Sequence, residues 1–260
     1  MLVAVYGNLI YDQIVTINDG MNIGNSNNAV ISNNIGGIGN FYRAVLKSKL
    51  FDCRLVSCVG DDVAGRSIIA NFRNDTKFNH YLMTIPNTKT SFAVNIVNKC
   101  SFQRTGFVDW GICSTYNLWY PVDANWHHLM YLDRMTINNI KEFSKYGVVS
   151  VDLCDSNNLE SLFDKLQYVD YVFCSSDGIN LHSKNIPYRK ALIAHQPGFI
   201  SVNYRDSGLE FKQTDVVGGL NVLGAGDMFS AFCVKSIVDH GKVDIELVHN
   251  STRDLLIEQS

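Results

Sequence analysis

The 260-residue chain predicts an α/β fold, a mostly parallel sheet with helices on both faces plus a small β lid, within one domain spanning 1–260. Three observations carry this. Short apolar runs alternate with stretches of helical periodicity along most of the chain. Residues 81–108 instead alternate apolar and polar with period two, the mark of half-buried strands. Late in the chain, Gly224-Ala225-Gly226-Asp227 turns into apolar residues at helical spacing (Met228, Phe229, Phe232, Ile237), as a strand-to-helix turn does.

Leu2 to Tyr6 reads as a buried first strand, and Gly7 to Asp12 follows it with the polar groups Asn8 and Asp12. Ligands of open parallel sheets sit beyond the carboxyl ends of strands, so Asp12 is a candidate to face one. Its alternative is a turn carboxylate. Residues 18–34 are rich in Asn and Gly and predict a surface excursion or flap. Gly36 and Gly37 then precede a helix that begins near Asn40, whose amide can both donate and accept toward a sugar-type hydroxyl.

Cys53 to Val59 is a second buried strand, and Gly60-Asp61-Asp62-Val63-Ala64-Gly65-Arg66-Ser67 follows. The spacing imitates a phosphate-binding P-loop, but Arg66 stands where that loop needs Lys and two acidic residues would oppose a triphosphate. A turn and a helix capped by Asp are predicted instead. Residues 91–97 and 101–104 flank Asn98-Lys99-Cys100 as a hairpin, so lid elements are expected near 13–34 and 90–108. Arg104, on that hairpin, could reach a substrate anion; a solvated side chain is the alternative. The aromatic stretch Trp110 to Trp126 predicts a loop with some helix, able to stack on a base or to pack the lid.

Strands are expected again at 128–132, 148–153, 171–174 and 191–195, with helices at 137–146 and 159–166 between the earlier ones. Adjacent His127 and His128 would point to opposite faces of a strand, which excludes joint metal binding. After the turn at His195–Gly198, residues 199–204 and 208–211 form a hairpin, and 245–257 a closing helix.

The turn at 224–227 holds the chemistry. Glycines there let backbone approach a ligand, and the free N–H groups of the following helix suit an anion. A carboxylate in that place would repel phosphate, yet it makes sense as a base acting on an alcohol beside the phosphate. Helix capping by Asp227 is the competing reading.

Composition sets limits. The net charge of −3, with no Lys/Arg block, gives no reason to expect nucleic acid. No apolar run is long enough for a bilayer and no basic-plus-apolar leader precedes the first strand, so a cytoplasmic protein is expected. The seven cysteines are scattered without a Cys-x-x-Cys, as thiols of a reducing compartment are.

Taken in order, Gly7…Asp12, Gly36-Gly37 with Asn40, Val59-Gly60-Asp61-Asp62 with Gly65, and Gly224-Ala225-Gly226-Asp227 resemble the ribokinase-like (PfkB-type) carbohydrate kinase family over nearly the whole chain. The resemblance implies ATP-dependent phosphorylation of a sugar hydroxyl. In it Asp227 is the base and Gly224, Ala225 and Gly226 form the anion hole. Asp12, Gly36, Gly37 and Asn40 hold the acceptor, joined by Arg104. Ser175, Gly198 and Asn221 meet the nucleotide. ATP with Mg2+ is implied, and K+ as a monovalent cation supporting the anion loop.

The chain departs from the family pattern at Asn221-Val222, where Asp-Thr is usual, and at Ser175-Ser176-Asp177-Gly178, where Asn-x-x-Glu is usual. A subgroup resembling fructoselysine 6-kinase is similar around Asp152, Ser175 and the 90–108 hairpin, which suggests a ketose-amine acceptor. A homodimer through the lid strands goes with the same resemblance. Two alternatives stay open: a nucleoside kinase on this fold, and a catalytically weak relative that binds or regulates.

Overall fold

The computed structural model describes residues 1–18, 24–73, 81–99, 104–116, 120–130, 140–153, 159–174, 185–196, 198–214 and 224–259. Two sheets organise them. The larger has nine strands, and its centre is built from the apolar runs β1 (Leu2–Tyr6), β4 (Asp52–Gly60), β8 (Trp126–Met130), β9 (Val148–Asp152), β10 (Tyr171–Cys174) and β11 (Ala191–Gln196). These pair in parallel in the order β11-β10-β9-β8-β1-β4, and β5 (Tyr81–Ile85) joins β4 in parallel at one edge. Runs that are buried on both faces read as continuously apolar, which is why they were recognisable. At the other edge β12 (Phe199–Tyr204) and β13 (Gly208–Gln213) add antiparallel to β11.

Helices cover both faces. On one lie α1 (Ile38–Ser48), α2 (Val63–Arg73), α5 (Ala225–His240) and α6 (Ile245–Gln259), burying Phe41, Ile68, Phe229 and Leu255 against Val3, Val5, Phe173 and Ile193. On the other lie the short helices α3 (Ile140–Phe143) and α4 (Phe163–Leu166), with Phe143 and Leu166 packed on Tyr6, Val149 and Val172. The expected capping carboxylate is in place: Asp62 Oδ1 accepts from Gly65 N at 2.8 Å and from Thr90 Oγ1 at 2.6 Å.

The second sheet has four strands in the order β3-β2-β6-β7. It comprises β2 (Leu9–Ile17), β3 (Val30–Gly37), β6 (Ser91–Asn98) and β7 (Arg104–Asp109). Here the sequence reading needs correction. Residues 30–34 are strand, paired with β2 from Thr16↔Val30 to Leu9↔Gly37. Val30 to Asn33 are exposed, so this edge strand carries little apolar pattern and is held by its pairing. Asp12 likewise lies within β2 and not in a turn after β1. The expected hairpin at 91–104 is present as β6 and β7, with Val97 opposite Arg104. The expected strand at 128–132 begins earlier, at Trp126, and 131–139 lie outside the described residues.

His127 and His128 do face opposite ways. His127 Nδ1 bonds Tyr6 Oη at 3.0 Å, while His128 Nδ1 bonds Ser150 Oγ at 2.7 Å. Burial holds both imidazoles down to about 4, so they are neutral core groups. Trp126 is stacked on Tyr171 at 5.2 Å and donates its indole N–H to Ser150 Oγ, so it serves the core and not a base-stacking surface. Among the described residues no helix is long and apolar enough to cross a membrane. The five described cysteines, Cys53, Cys58, Cys113, Cys174 and Cys233, are free thiols.

Candidate active site

The site lies where the N-termini of α1 and α5 meet the small sheet. Its position follows from the sheet order. β1 is flanked by β4 on one side and β8 on the other, so the connections diverge there and leave a crevice at the carboxyl ends of the strands. Helix α5 is seated at those ends: Ser230 Oγ donates to Asp152 Oδ2 at 3.0 Å at the end of β9, and Phe229 packs on His195 of β11 with rings 4.5 Å apart.

Gly224 precedes α5 with φ +81°, a left-handed conformation that glycine adopts without strain. It must also be small, because a Cβ added there would lie 2.4 Å from Asn40 Cγ. The turn thereby brings α5 against α1. The opening N–H groups of an α-helix have no intrahelical partner and carry its positive end. At this helix they belong to Ala225, Gly226 and Asp227. A Cβ at Gly226 would come within 3.0 Å of His195 Cε1, so the cradle is narrow.

Asp227 stands in the first turn of α5, behind an N-cap, Gly224, that has no side chain to offer. Its Oδ2 accepts the Asn40 amide at 2.8 Å, a partner on α1 and not on its own helix. The carboxyl is sunk between the helices yet keeps some solvent contact. Burial, with Asp152 and Asp12 nearby, pushes it up to about 8, against the pull of Asn40 and Arg104. A carboxyl poised near neutrality takes a proton readily and can release it again.

Asp12 forms the second carboxylate of the site. It is buried in β2 and raised to about 6 by that burial, while Arg104, Asn95 and Arg43 draw it down. Its Oδ1 accepts from Asn95 Nδ2 at 3.4 Å. A Cβ added at Gly36 would lie 2.1 Å from Asp12 Oδ2, so the smallness of Gly36 makes room for this side chain. Gly37 ends β3 at the head of α1, where Ile38 N donates to Asn8 O at 3.0 Å. Arg104, on exposed β7, donates from Nε to Asn95 Oδ1 at 3.0 Å. Gly198 lies between β11 and β12, its carbonyl accepting Thr214 N at 3.0 Å. Ser175 and Asn221 lie outside the described residues.

The structure thus brings Asp12, Gly36, Gly37, Asn40, Arg104 and residues 224–227 into one neighbourhood. It adds residues the sequence reading missed. Arg43, one turn along α1 from Asn40, donates from Nη1 to Asn40 Oδ1 at 3.0 Å. Its Nη2 reaches Asn34 Oδ1 at 2.5 Å and Ile35 O at 3.1 Å. Asn95 ties Arg104 to Asp12. His195 borders Gly226, and its buried Nε2 has no hydrogen-bond partner among the described residues. The i,i+3 spacing of Asn40 and Arg43 was the available signal for the first. Asn95 and His195 had none.

This is an α/β protein whose crevice holds two raised carboxyls and an amide-rich helix N-terminus. A scan of protein-family models and a search of curated proteins return no match. Solved structures do match. Ribokinase from Thermotoga maritima superposes with a TM-score of 0.72 at 18% identity, over 96% of this chain and 90% of that one. The nucleoside kinase of Methanocaldococcus jannaschii gives 0.69 at 17%, over 96% and 88%. Arabidopsis thaliana ribokinase, solved with ribose and ATP, gives 0.68 at 16%, over 96% and 89%. The chain has the ribokinase fold.

Proposed function

We propose that this chain is an ATP-dependent kinase that phosphorylates a hydroxyl of a sugar or sugar-amine, with Asp227 as the base. One observation carries the reading. Asp227, raised to about 8, sits in the first turn of α5 beside its opening amides and is held by Asn40 from α1. A base needs to meet the acceptor hydroxyl where the phosphoryl group arrives. The ribokinase fold and a neighbour solved with ribose and ATP support the same assignment.

In this reading the amides of residues 225–227, opened by Gly224 and narrowed by His195, receive the charge that develops on the transferred group. Asp227 accepts the hydroxyl proton. Asp12 and Asn40 orient the acceptor from β2 and α1, against Gly36 and Gly37, and Arg104 holds an anionic substituent from β7. The small sheet, with strands at 9–17, 30–37, 91–98 and 104–109, is the lid and offers the edge for a homodimer.

The turns expected to meet the nucleotide include Ser175 and Asn221, which lie outside the described residues; Gly198 is the described member of that set. Mg2+ belongs with the nucleotide. Among the described residues no three acidic, His or Cys side chains are gathered to hold a metal, so no step is assigned to Mg2+ or to K+. An ADP-release assay with ATP and a panel of ketoses, fructosamines and nucleosides tests the reading. Turnover with a ketose or fructosamine is the expected result. Preference for a nucleoside would move the acceptor class, and no turnover with any of them would favour a binding protein.

A further inference from the structure

We propose that Arg43 is a positioning residue, which fixes the sense of the Asn40 amide so that Asn40 can only donate to Asp227. The inference rests on the assignment of Asp227 as the base.

A guanidinium donates and never accepts, and an amide presents one accepting and one donating end. Arg43 Nη1 lies 3.0 Å from one end of the Asn40 amide, which must therefore be Oδ1. The other end, 2.8 Å from Asp227 Oδ2, is then the NH2 group. A bond donated to a carboxylate favours its ionised form, whereas a carbonyl turned toward it would demand a proton on Asp227. Without Arg43 the amide can rotate by half a turn and pair with a protonated Asp227. Arg43 thus keeps the acceptor state of Asp227 through Asn40.

The arginine is itself held in place. Its second nitrogen bonds Asn34 Oδ1 and Ile35 O on β3, so the setting of the amide is tied to the small sheet. The same one-way order recurs at the other carboxylate. Arg104 Nε donates to Asn95 Oδ1 at 3.0 Å, and Asn95 Nδ2 faces Asp12 Oδ1 at 3.4 Å. Two arginine–asparagine–aspartate chains in one crevice, each with the arginine at the far end, argue that polarity is what they share.

Among the described residues the charged neighbours of Asp227 are Asp152 from β9, Asp12 from β2 and Arg104 from β7, with Arg43 on α1, and the titratable His195 of β11 borders Gly226. Arg43 therefore also acts directly through its charge, and the test must separate the two routes. Side-chain carboxyl titration by NMR on 13C-aspartate protein, with Asp227→Asn to assign the resonance, needs no turnover. Arg43→Met should raise the Asp227 titration midpoint by about one unit, and Arg43→Lys should recover part of it. In an Asn40→Ala background, Arg43→Met should add less than half of that shift.

If the chain turns over substrate, the acid limb of kcat/KM should move with the NMR midpoint. An unchanged midpoint in Arg43→Met, with the native melting transition retained, would overturn the proposal. So would the same full shift in the Asn40→Ala background, which would reduce Arg43 to a distant charge. Failure of the kinase reading would show separately, as absence of ADP release from the wild type.

Discussion

The buried Asp227 carboxyl is expected to cost the folded chain stability at neutral pH. Its folded carboxyl is raised from 3.8 to about 8, so between those values the folded chain holds a proton that the unfolded chain gives up. Stability is therefore lost as pH rises through that window. Asparagine does not titrate and can still accept from Asn40. The unfolding free energies of wild type and Asp227→Asn should accordingly differ least near pH 4 and diverge toward pH 8.5, the variant gaining on the order of 5 kcal/mol over that range. A pH-independent gap would contradict the raised carboxyl. Gly224 carries a second residue-scale test. Alanine there meets both the left-handed backbone and Asn40 Cγ at 2.4 Å. Gly224→Ala should cost on the order of 2 kcal/mol of stability and push α5 away from α1. Its catalytic loss should exceed its fall in melting temperature, measured side by side.

At the scale of elements, what the sequence made readable depended on burial. Strands buried on both faces, such as β1, β4 and β10, announce themselves as apolar runs because nothing polar is tolerated there. The capped start of α2 was readable too, since Asp62 and Gly65 sit at the spacing a cap requires. The structure adds a partner that is distant in sequence: Thr90 donates to Asp62 from both N, at 2.9 Å, and Oγ1, at 2.6 Å. Asp62→Ala therefore breaks a cap and a cross-link at once. It should destabilise the chain by about 2–3 kcal/mol in chemical denaturation, where a cap alone would give about 1. β3 was unreadable for the complementary reason. Its outer residues are exposed asparagine, serine and aliphatics, and only pairing with β2 makes them a strand. The reach of Asn40 to Asp227 joins residues 187 apart in sequence, and no local pattern encodes such a contact.

For the molecule as a whole, the order of motifs was more informative than any one of them. Gly36-Gly37, Asp62 with Gly65, and Gly224 to Asp227 are each a turn before a helix, which many folds contain. Their succession along the chain predicted the α/β architecture now seen; the meeting of α1, α5 and the small sheet at one crevice is visible only in the structure. The arginine–asparagine chains were not readable, because they depend on which side chains of the small sheet face the main one. The central claim is that Asp227 takes the acceptor proton beside the helix amides. It is tested most directly by single-turnover transfer from γ-labelled ATP to the acceptor found by screening, in wild type and Asp227→Asn, with ATP affinity measured on both. The account predicts transfer reduced by at least about a thousandfold in the variant with ATP affinity nearly unchanged, and a wild-type rate that climbs with pH toward about 8. Transfer at the wild-type rate by Asp227→Asn would contradict it.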